Sequence, residues 1–343
     1  MRNEAYFLYA AVTNDACNTA DGCFGAACQY PMIDVTNISK NYGAVRAVRD
    51  ISFTVAKGEV LGFLGPNGAG KSTTIRMLTC FIPADEGSVR IAGFDVHSAA
   101  LEVRRRIGYL PENNPLYMDM GVLDYLRFIA GMRAIPPEKR SAAIRRAIET
   151  CGLGPMAAKT IGALSKGFRQ RLGLAQALIH DPPILILDEP TIGLDPHQII
   201  GMRTLIREIG REKTVILSSH ILPEVAATCD RVLIMNSGRI VGSGTPGELA
   251  AMARSGQEIL VGIRAEQDRA EAALRDLPFV TSVTHIEERD GVHRYSLRAG
   301  SDQDASERIF QAVVANGWSL TELQRKTVNL EDVFLDLTTR EAP

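Results

Sequence analysis

A continuous run, Gly65-Pro66-Asn67-Gly68-Ala69-Gly70-Lys71-Ser72-Thr73, has the residue types and spacing to hold a triphosphate. It matches GxxxxGK[ST] and lies between an apolar run and a helix-like stretch, the setting that pattern requires. Glycines let successive backbone N–H groups turn inward onto phosphate oxygens, and a following helix adds the partial positive charge of its N-terminus. Lys71 would reach the β- and γ-phosphates, and the Ser72 hydroxyl would ligate Mg²⁺. A chance match in a chain of this length is on the order of one in a hundred at average residue frequencies. An ordinary glycine-rich turn would explain neither Lys71 nor Ser72.

A second run, Ile184-Leu185-Ile186-Leu187-Asp188-Glu189-Pro190, supplies carboxylates. Four apolar residues make a buried strand that delivers Asp188 at its carboxyl end, where ligands bind in open α/β sheets. Asp188 would hold Mg²⁺, and Glu189 would polarise an attacking water. An acidic pair after an apolar run says little alone. Behind a phosphate loop it says a great deal.

These residues need a framework. Segments 32–60 read as antiparallel strands with turns at Asn41-Tyr42-Gly43 and Lys57-Gly58. Val60–Leu64 is a strand apolar on both faces, followed by the glycine-rich turn and a helix from about Lys71. Residues 115–180 look helical, with Pro136-Pro137 dividing them. Strands in PILILDEP and KTVILSSH flank a helix over 197–210, so βα alternation predicts a parallel sheet covered by helices. Composition shifts near 250–257. Beyond it come strand 258–264, helix 267–277, strands 280–288 and 292–298, helix 302–316, strand 318–326 and a last helix 329–338. The βαββαβ order is that of a ferredoxin-like unit.

Together the motifs resemble the nucleotide-binding domain of ABC transporters, because further elements follow in that family's order. Leu164-Ser165-Lys166-Gly167-Phe168, with Arg169-Gln170-Arg171 behind it, resembles the signature motif, Ser165 and Gly167 standing where the family contacts the γ-phosphate of ATP. Thr191-Ile192-Gly193-Leu194-Asp195 resembles the D-loop. Ser218-Ser219-His220 resembles the switch loop, with His220 as γ-phosphate sensor, and Tyr42 matches the aromatic residue that stacks on adenine. His97, His180, His197, His285 and His293 have no comparable place and read as surface or structural residues.

The resemblance covers roughly 32–245 closely and 256–343 more loosely. It implies a P-loop NTPase sheet with an antiparallel β-subdomain and a helical insertion at about 112–180, over 32–250. A small α+β ferredoxin-like accessory domain follows at 256–343. It also implies an ATPase using ATP and Mg²⁺, with Glu189 and His220 catalytic and Ser72, Asp188 and Glu112 around the metal. Working as a homodimer, the signature motif of one subunit would cover ATP held by the other. A separate transmembrane permease would be the partner, placing the chain peripherally on the cytoplasmic face of the membrane. The rival is a soluble ABC ATPase acting on ribosomes or DNA; such relatives tend to carry two ATPase domains or a long coiled coil, and neither is read here. A P-loop kinase or GTPase is disfavoured by the signature and His220 elements and by the lack of a guanine-reading NKxD.

Two departures stand out. Glu112, in Gly108-Tyr109-Leu110-Pro111-Glu112, occupies a position where the family carries glutamine. Lys166 replaces a signature glycine, its ammonium bound either for phosphate or for solvent. Both variants, and the final NLEDVFLDLT, resemble a bacterial exporter branch that includes gliding-associated ABC ATPases; cargo is not legible.

Bulk composition agrees with a globular subunit. Charge is nearly balanced, with 38 Lys+Arg against 40 Asp+Glu, which does not favour a nucleic-acid partner. No run reaches the roughly 18 apolar residues of a membrane span. Cys17, Cys23 and Cys28 match no zinc spacing. Residues 1–31 read as a disordered extension or a start assigned too early, with Met32 opening the first strand.

Overall fold

The computed structural model describes residues 31–253, 257–300 and 304–326. Residues 1–30, with Cys17, Cys23 and Cys28, and the helix expected over 329–338 lie outside the described residues.

Strands β1 (Ile33–Tyr42) and β2 (Val45–Val55) pair antiparallel, then β3 (Val60–Leu64) leads into helix α1 (Lys71–Leu78). β4 (Glu86–Ile91) and β5 (Phe94–Asp95) complete a four-stranded antiparallel sheet in the order β2-β1-β4-β5. Next come α2 (Ala100–Arg106), β6 (Ile107–Leu110), α3 (Val122–Met132), α4 (Pro137–Thr150) and α5 (Lys166–Leu178). Helices therefore occupy only part of 115–180. The stretch from Pro111 to Gly121 contains no helix, as its two prolines and glycine favour.

The remaining elements of the ATPase portion are β7 (Ile184–Leu187), α6 (Pro196–Gly210), β8 (Thr214–Ser219), α7 (Leu222–Thr228), β9 (Arg231–Asn236), β10 (Arg239–Gly244) and α8 (Pro246–Ala253). Helix α8 runs past residue 250, the boundary read from sequence. The central sheet has the order β10-β9-β3-β8-β7-β6, parallel except for β10. β3 and β7 are buried at every position, which is why they are apolar throughout rather than alternating. One buried cluster joins one face of this sheet to the helices α3–α6, and a second joins the other face to β1, β2 and α1.

Beyond residue 256, β11 (Gln257–Arg264), α9 (Gln267–Arg275), β12 (Val280–Arg289), β13 (Val292–Ala299), α10 (Ala305–Ala315) and β14 (Ser319–Lys326) follow in turn. The strands form an antiparallel sheet in the order β12-β13-β11-β14, with its own buried cluster of Ile259, Tyr295, Leu297 and Ile309.

Cys151 and Cys229 are buried free thiols, and burial pushes both thiols up, Cys151 to about 12. Neither is poised for reaction. His180 is structural: its Nε2 lies 3.0 Å from the Ile107 carbonyl, joining the end of α5 to β6. Burial, and then the nearby Arg133, lower its pKa to about 4. An unfolded histidine titrates near 6.5, so between the two values the unfolded chain binds the extra proton. The stability His180 confers is complete above about pH 6.5 and is lost as pH falls through about 4. Because the residue is only partly buried, solvent screening holds the loss to on the order of 2 kcal/mol. Thermal unfolding of wild type between those pH values should fall more steeply than that of His180→Gln; parallel curves would remove the assignment.

Candidate functional site

Parallel register assembles the site. Leu64 of β3 pairs with Ser219 of β8, and Leu187 of β7 pairs with Leu217 of β8. The residues leaving each strand, Gly65, Asp188 and His220, therefore emerge along one carboxyl edge of the sheet. The Asp188 amide donates to the Leu110 carbonyl at 2.9 Å, so Glu112, two residues on, emerges beside them.

The phosphate loop turns between β3 and α1. Gly70 stands at φ 102°, and a Cβ there would lie 2.6 Å from the Ala47 carbonyl oxygen. Only glycine satisfies both conditions. Lys71, 5% exposed, donates from Nζ to the Gly65 carbonyl at 2.7 Å and the Pro66 carbonyl at 3.2 Å, and lies 3.7 Å from Glu189 Oε1. Burial lowers its pKa, opposed by the charges of Glu189, Asp188 and Glu112. The loop's cation thus sits between backbone oxygens and carboxylates, where phosphate oxygens can replace them.

Asp188, 3% exposed, accepts from Ser72 Oγ at 3.1 Å and from Ser218 Oγ at 2.6 Å. Ser218 Oγ in turn accepts from the Glu189 amide at 2.9 Å. Glu189 holds φ 48°, a left-handed conformation that a non-glycine residue keeps only where its surroundings impose it. Its Oε2 lies 2.9 Å from His220 Nδ1. A carboxylate held next to a histidine at the mouth of a phosphate loop is suited to orient a water and accept its proton.

A cleft of about 780 Å³ is lined by Asn67, Gly68, Ala69, Gly70, Lys71, Ser72, Thr73, Glu112, Glu189 and His220, with Tyr42 on its rim. Tyr42 is 46% exposed, leaving a ring face open to a base. Gly65, Pro66 and Asp188 stand behind this lining, through the contacts above. Ser165, Gly167 and Asp195 do not line it. Ser165 caps α5 through the Phe168 amide, and Asp195 caps α6 through the Gln198 amide at 2.9 Å. A Cβ on Gly167 would meet Gln198 Oε1 at 2.5 Å, so the starts of these helices are interlocked. Lys166 is exposed and does not reach this chain's phosphate loop: its ammonium lies at the surface beside Gly193, where an added Cβ would come within 2.0 Å of its Nζ. Its ammonium folds over the turn that precedes Asp195.

Comparison with known proteins agrees with this geometry. The family model "ABC transporter" matches residues 48–192. The linearmycin resistance ATP-binding protein LnrL of Bacillus subtilis (strain 168) is 31% identical over 314 residues, covering 90% of this chain and 99% of LnrL. The Nod factor export ATP-binding protein I of Burkholderia orbicola (strain AU 1054) is 33% identical over 318 residues, covering 90% of this chain and 97% of its own. The chain belongs to the ABC transporter ATP-binding proteins. Its fold is that of solved ABC ATPases: cbiO1 from Clostridium perfringens, part of the ABC transporter complex cbiONQ, superposes with a TM-score of 0.60 at 26% identity, over 72% of this chain and 96% of cbiO1. The ABC ATPase binds and hydrolyses ATP as the ATP-binding subunit of a transporter. No described helix is long and apolar enough to cross a membrane.

Motif spacing assigns no individual role to Ser218 or Thr191, which fall within the switch and D-loop segments, and none to Glu224. A signal for Ser218 was present, a hydroxyl pair at the end of an apolar strand, but its partner is set by the β7–β8 register, which motif spacing does not encode. Arg46, Arg49 and Ser237 also line the cleft and carry no motif signal.

Proposed function

We propose that this chain powers export as one of two ATPase subunits on the cytoplasmic face of a membrane, driving a separate transmembrane permease. The observation that carries the hydrolytic reading is the convergence of Lys71, Glu189 and His220, with Glu189 within 3.7 Å of the lysine and 2.9 Å of the imidazole. Tyr42 stacks the adenine, residues 65–73 and Lys71 hold the phosphates, Glu189 takes the proton of the attacking water, and His220 contacts the γ-phosphate. Export is favoured by the names of LnrL and of the Nod factor export protein.

The donor set suits Mg²⁺. Ser72 and Asp188 present hard oxygens 3.1 Å apart. Among the described residues no cluster of three or more acidic, histidine or cysteine side chains could hold a metal unaided. Such a pair fits an ion that completes its shell with substrate phosphates. Ser72 and Asp188 would hold it, Glu112 would stand beside it, and the ion would supply neutralisation of phosphate charge.

Dimerisation follows from the unused parts. Ser165 and Gly167 stand off the cleft of their own chain, so they are available to close the cleft of a second copy. ATP bound between two copies would draw the permease subunits into a new state, and hydrolysis would release them.

Glu189→Gln keeps the side chain's size and removes the base. It should retain ATP affinity, lose at least about a hundredfold in turnover and accumulate an ATP-bound dimer in size-exclusion chromatography. Wild-type turnover would remove Glu189 from this role. Glu112 is exposed on the cleft wall, and its charge acts on Lys71. At about 5 Å and an effective dielectric of 20, a carboxylate and a phosphate charge repel by roughly 3 kcal/mol unless a cation intervenes. Glu112→Gln should therefore hydrolyse ATP with a weaker dependence on Mg²⁺ concentration than wild type. Superimposable Mg²⁺ titrations would show that Glu112 does not sense the metal.

A further inference from the structure

We propose that Glu224 is a positioning residue for ATP hydrolysis, its buried carboxylate tying the segment after Glu189 to the turn that carries His220. Glu224 lies in the first turn of α7 and is 7% exposed. Thr191 Oγ1, two residues beyond Glu189, donates to Glu224 Oε2 at 2.5 Å. Ser219 Oγ donates to the same oxygen at 3.4 Å and accepts from the Ile221 amide at 3.0 Å, so this hydroxyl grips the backbone on both sides of His220. Thr191 and Ser219 are themselves 6% and 1% exposed.

Two straps thus cross from the end of β7 to the end of β8. The inner one runs through Ser218 to Asp188 and the Glu189 amide. The outer one runs through Glu224. Together with the β7–β8 register they hold Glu189 and His220 at their observed separation, and Glu189 itself stands in a left-handed conformation that its surroundings must impose. Releasing the outer strap frees the chain after Pro190 and the turn at His220 to move apart.

A stabilising role for α7 would be the plain alternative, since a carboxylate in a helix's first turn interacts well with its dipole. The geometry answers it. Oε2 is spent on a hydroxyl 33 residues away in another element. Among the described residues no ion pair neutralises this carboxylate. A buried carboxylate held by hydroxyls alone costs stability that an apolar side chain of similar size would not. A purely stabilising residue would not be built this way; Glu224→Leu removes the buried charge but leaves the Thr191 and Ser219 hydroxyls without this acceptor, so the melting temperature is followed beside the kinetics.

The inference rests on the reading of Glu189 and His220 as the hydrolytic pair. Its test uses the full-length chain with Mg·ATP, measuring kcat, KM, the Kd of a fluorescent ATP analogue and the melting temperature. Thr191→Val and Glu224→Leu should each lower kcat about tenfold or more while the Kd stays within about twofold. Thr191→Ser, which keeps the hydroxyl, should restore kcat, and the double variant should be no worse than the poorer single one. Wild-type kcat in Thr191→Val would overturn the proposal, as would a loss of affinity equal to the loss of kcat. Should Glu224→Leu fail to fold, Thr191→Val and its serine rescue decide alone. Glu189→Gln is assayed alongside. Full turnover there would overturn the hydrolytic reading itself, whereas loss of turnover there with an intact Thr191→Val variant would overturn only the role of Glu224.

Discussion

The structure depends on concentrating opposite charges at one edge of a sheet. Lys71, Asp188 and Glu189 are all nearly buried and lie around the carboxyl ends of β3, β7 and β8. Buried charges are tolerated only when paired or hydrogen-bonded. Lys71 answers to two backbone carbonyls and Glu189, Asp188 to two serine hydroxyls, and the Glu189 carboxylate to Lys71 and His220. The bonds of Lys71 to the loop carbonyls and of Ser72 to Asp188 are also places where a nucleotide phosphate or its cation can enter. The apolar strands on either side, with no side chain available to water, hold the edge rigid while the contacts at its rim exchange.

On the proposed reading, that arrangement is half of a catalytic site. The cleft has a phosphate loop, a carboxylate beside a histidine and a rim aromatic, yet the signature residues are engaged elsewhere in their own chain. Ser165 and Asp195 each cap a helix, and Gly167 and Lys166 pack against Gln198 and Gly193. A local N-cap uses one acceptor of a serine hydroxyl and leaves its proton free to donate. The same residues can therefore shape their own helix and meet a phosphate offered by another copy. Lys166 adds a further constraint, because its ammonium lies beside the turn before Asp195 and couples the signature helix to that loop.

Much of this was legible because the phosphate loop, the acidic pair and the SSH segment are contiguous, and each sits where an apolar strand ends. Val60–Leu64 and Ile184–Leu187 were delimited from hydrophobic runs, and the strand bounds agree. What escaped notice depends on register and packing. Ser218 meets Asp188 because Leu187 pairs with Leu217, and Glu224 meets Thr191 because α7 packs beside α6. The destination of Lys166 could not be read from its type, since a flexible ammonium takes its place from the turn at Gly193. The helical pattern read from residue 115 does not hold before Val122, where Pro115 and Gly121 keep the backbone out of a helix.

The central claim is that each ATP site is completed by a second copy of the chain, and mixing two inactive variants tests it most directly. Lys71→Ala disables the phosphate loop and Ser165→Arg disables the signature face, so each homodimer has two defective sites. A mixed dimer has one site with both halves intact. Equal amounts combined should regain ATPase activity, about a quarter of wild type for random pairing and independent sites. Failure of any mixing ratio to exceed the separate variants would contradict the account.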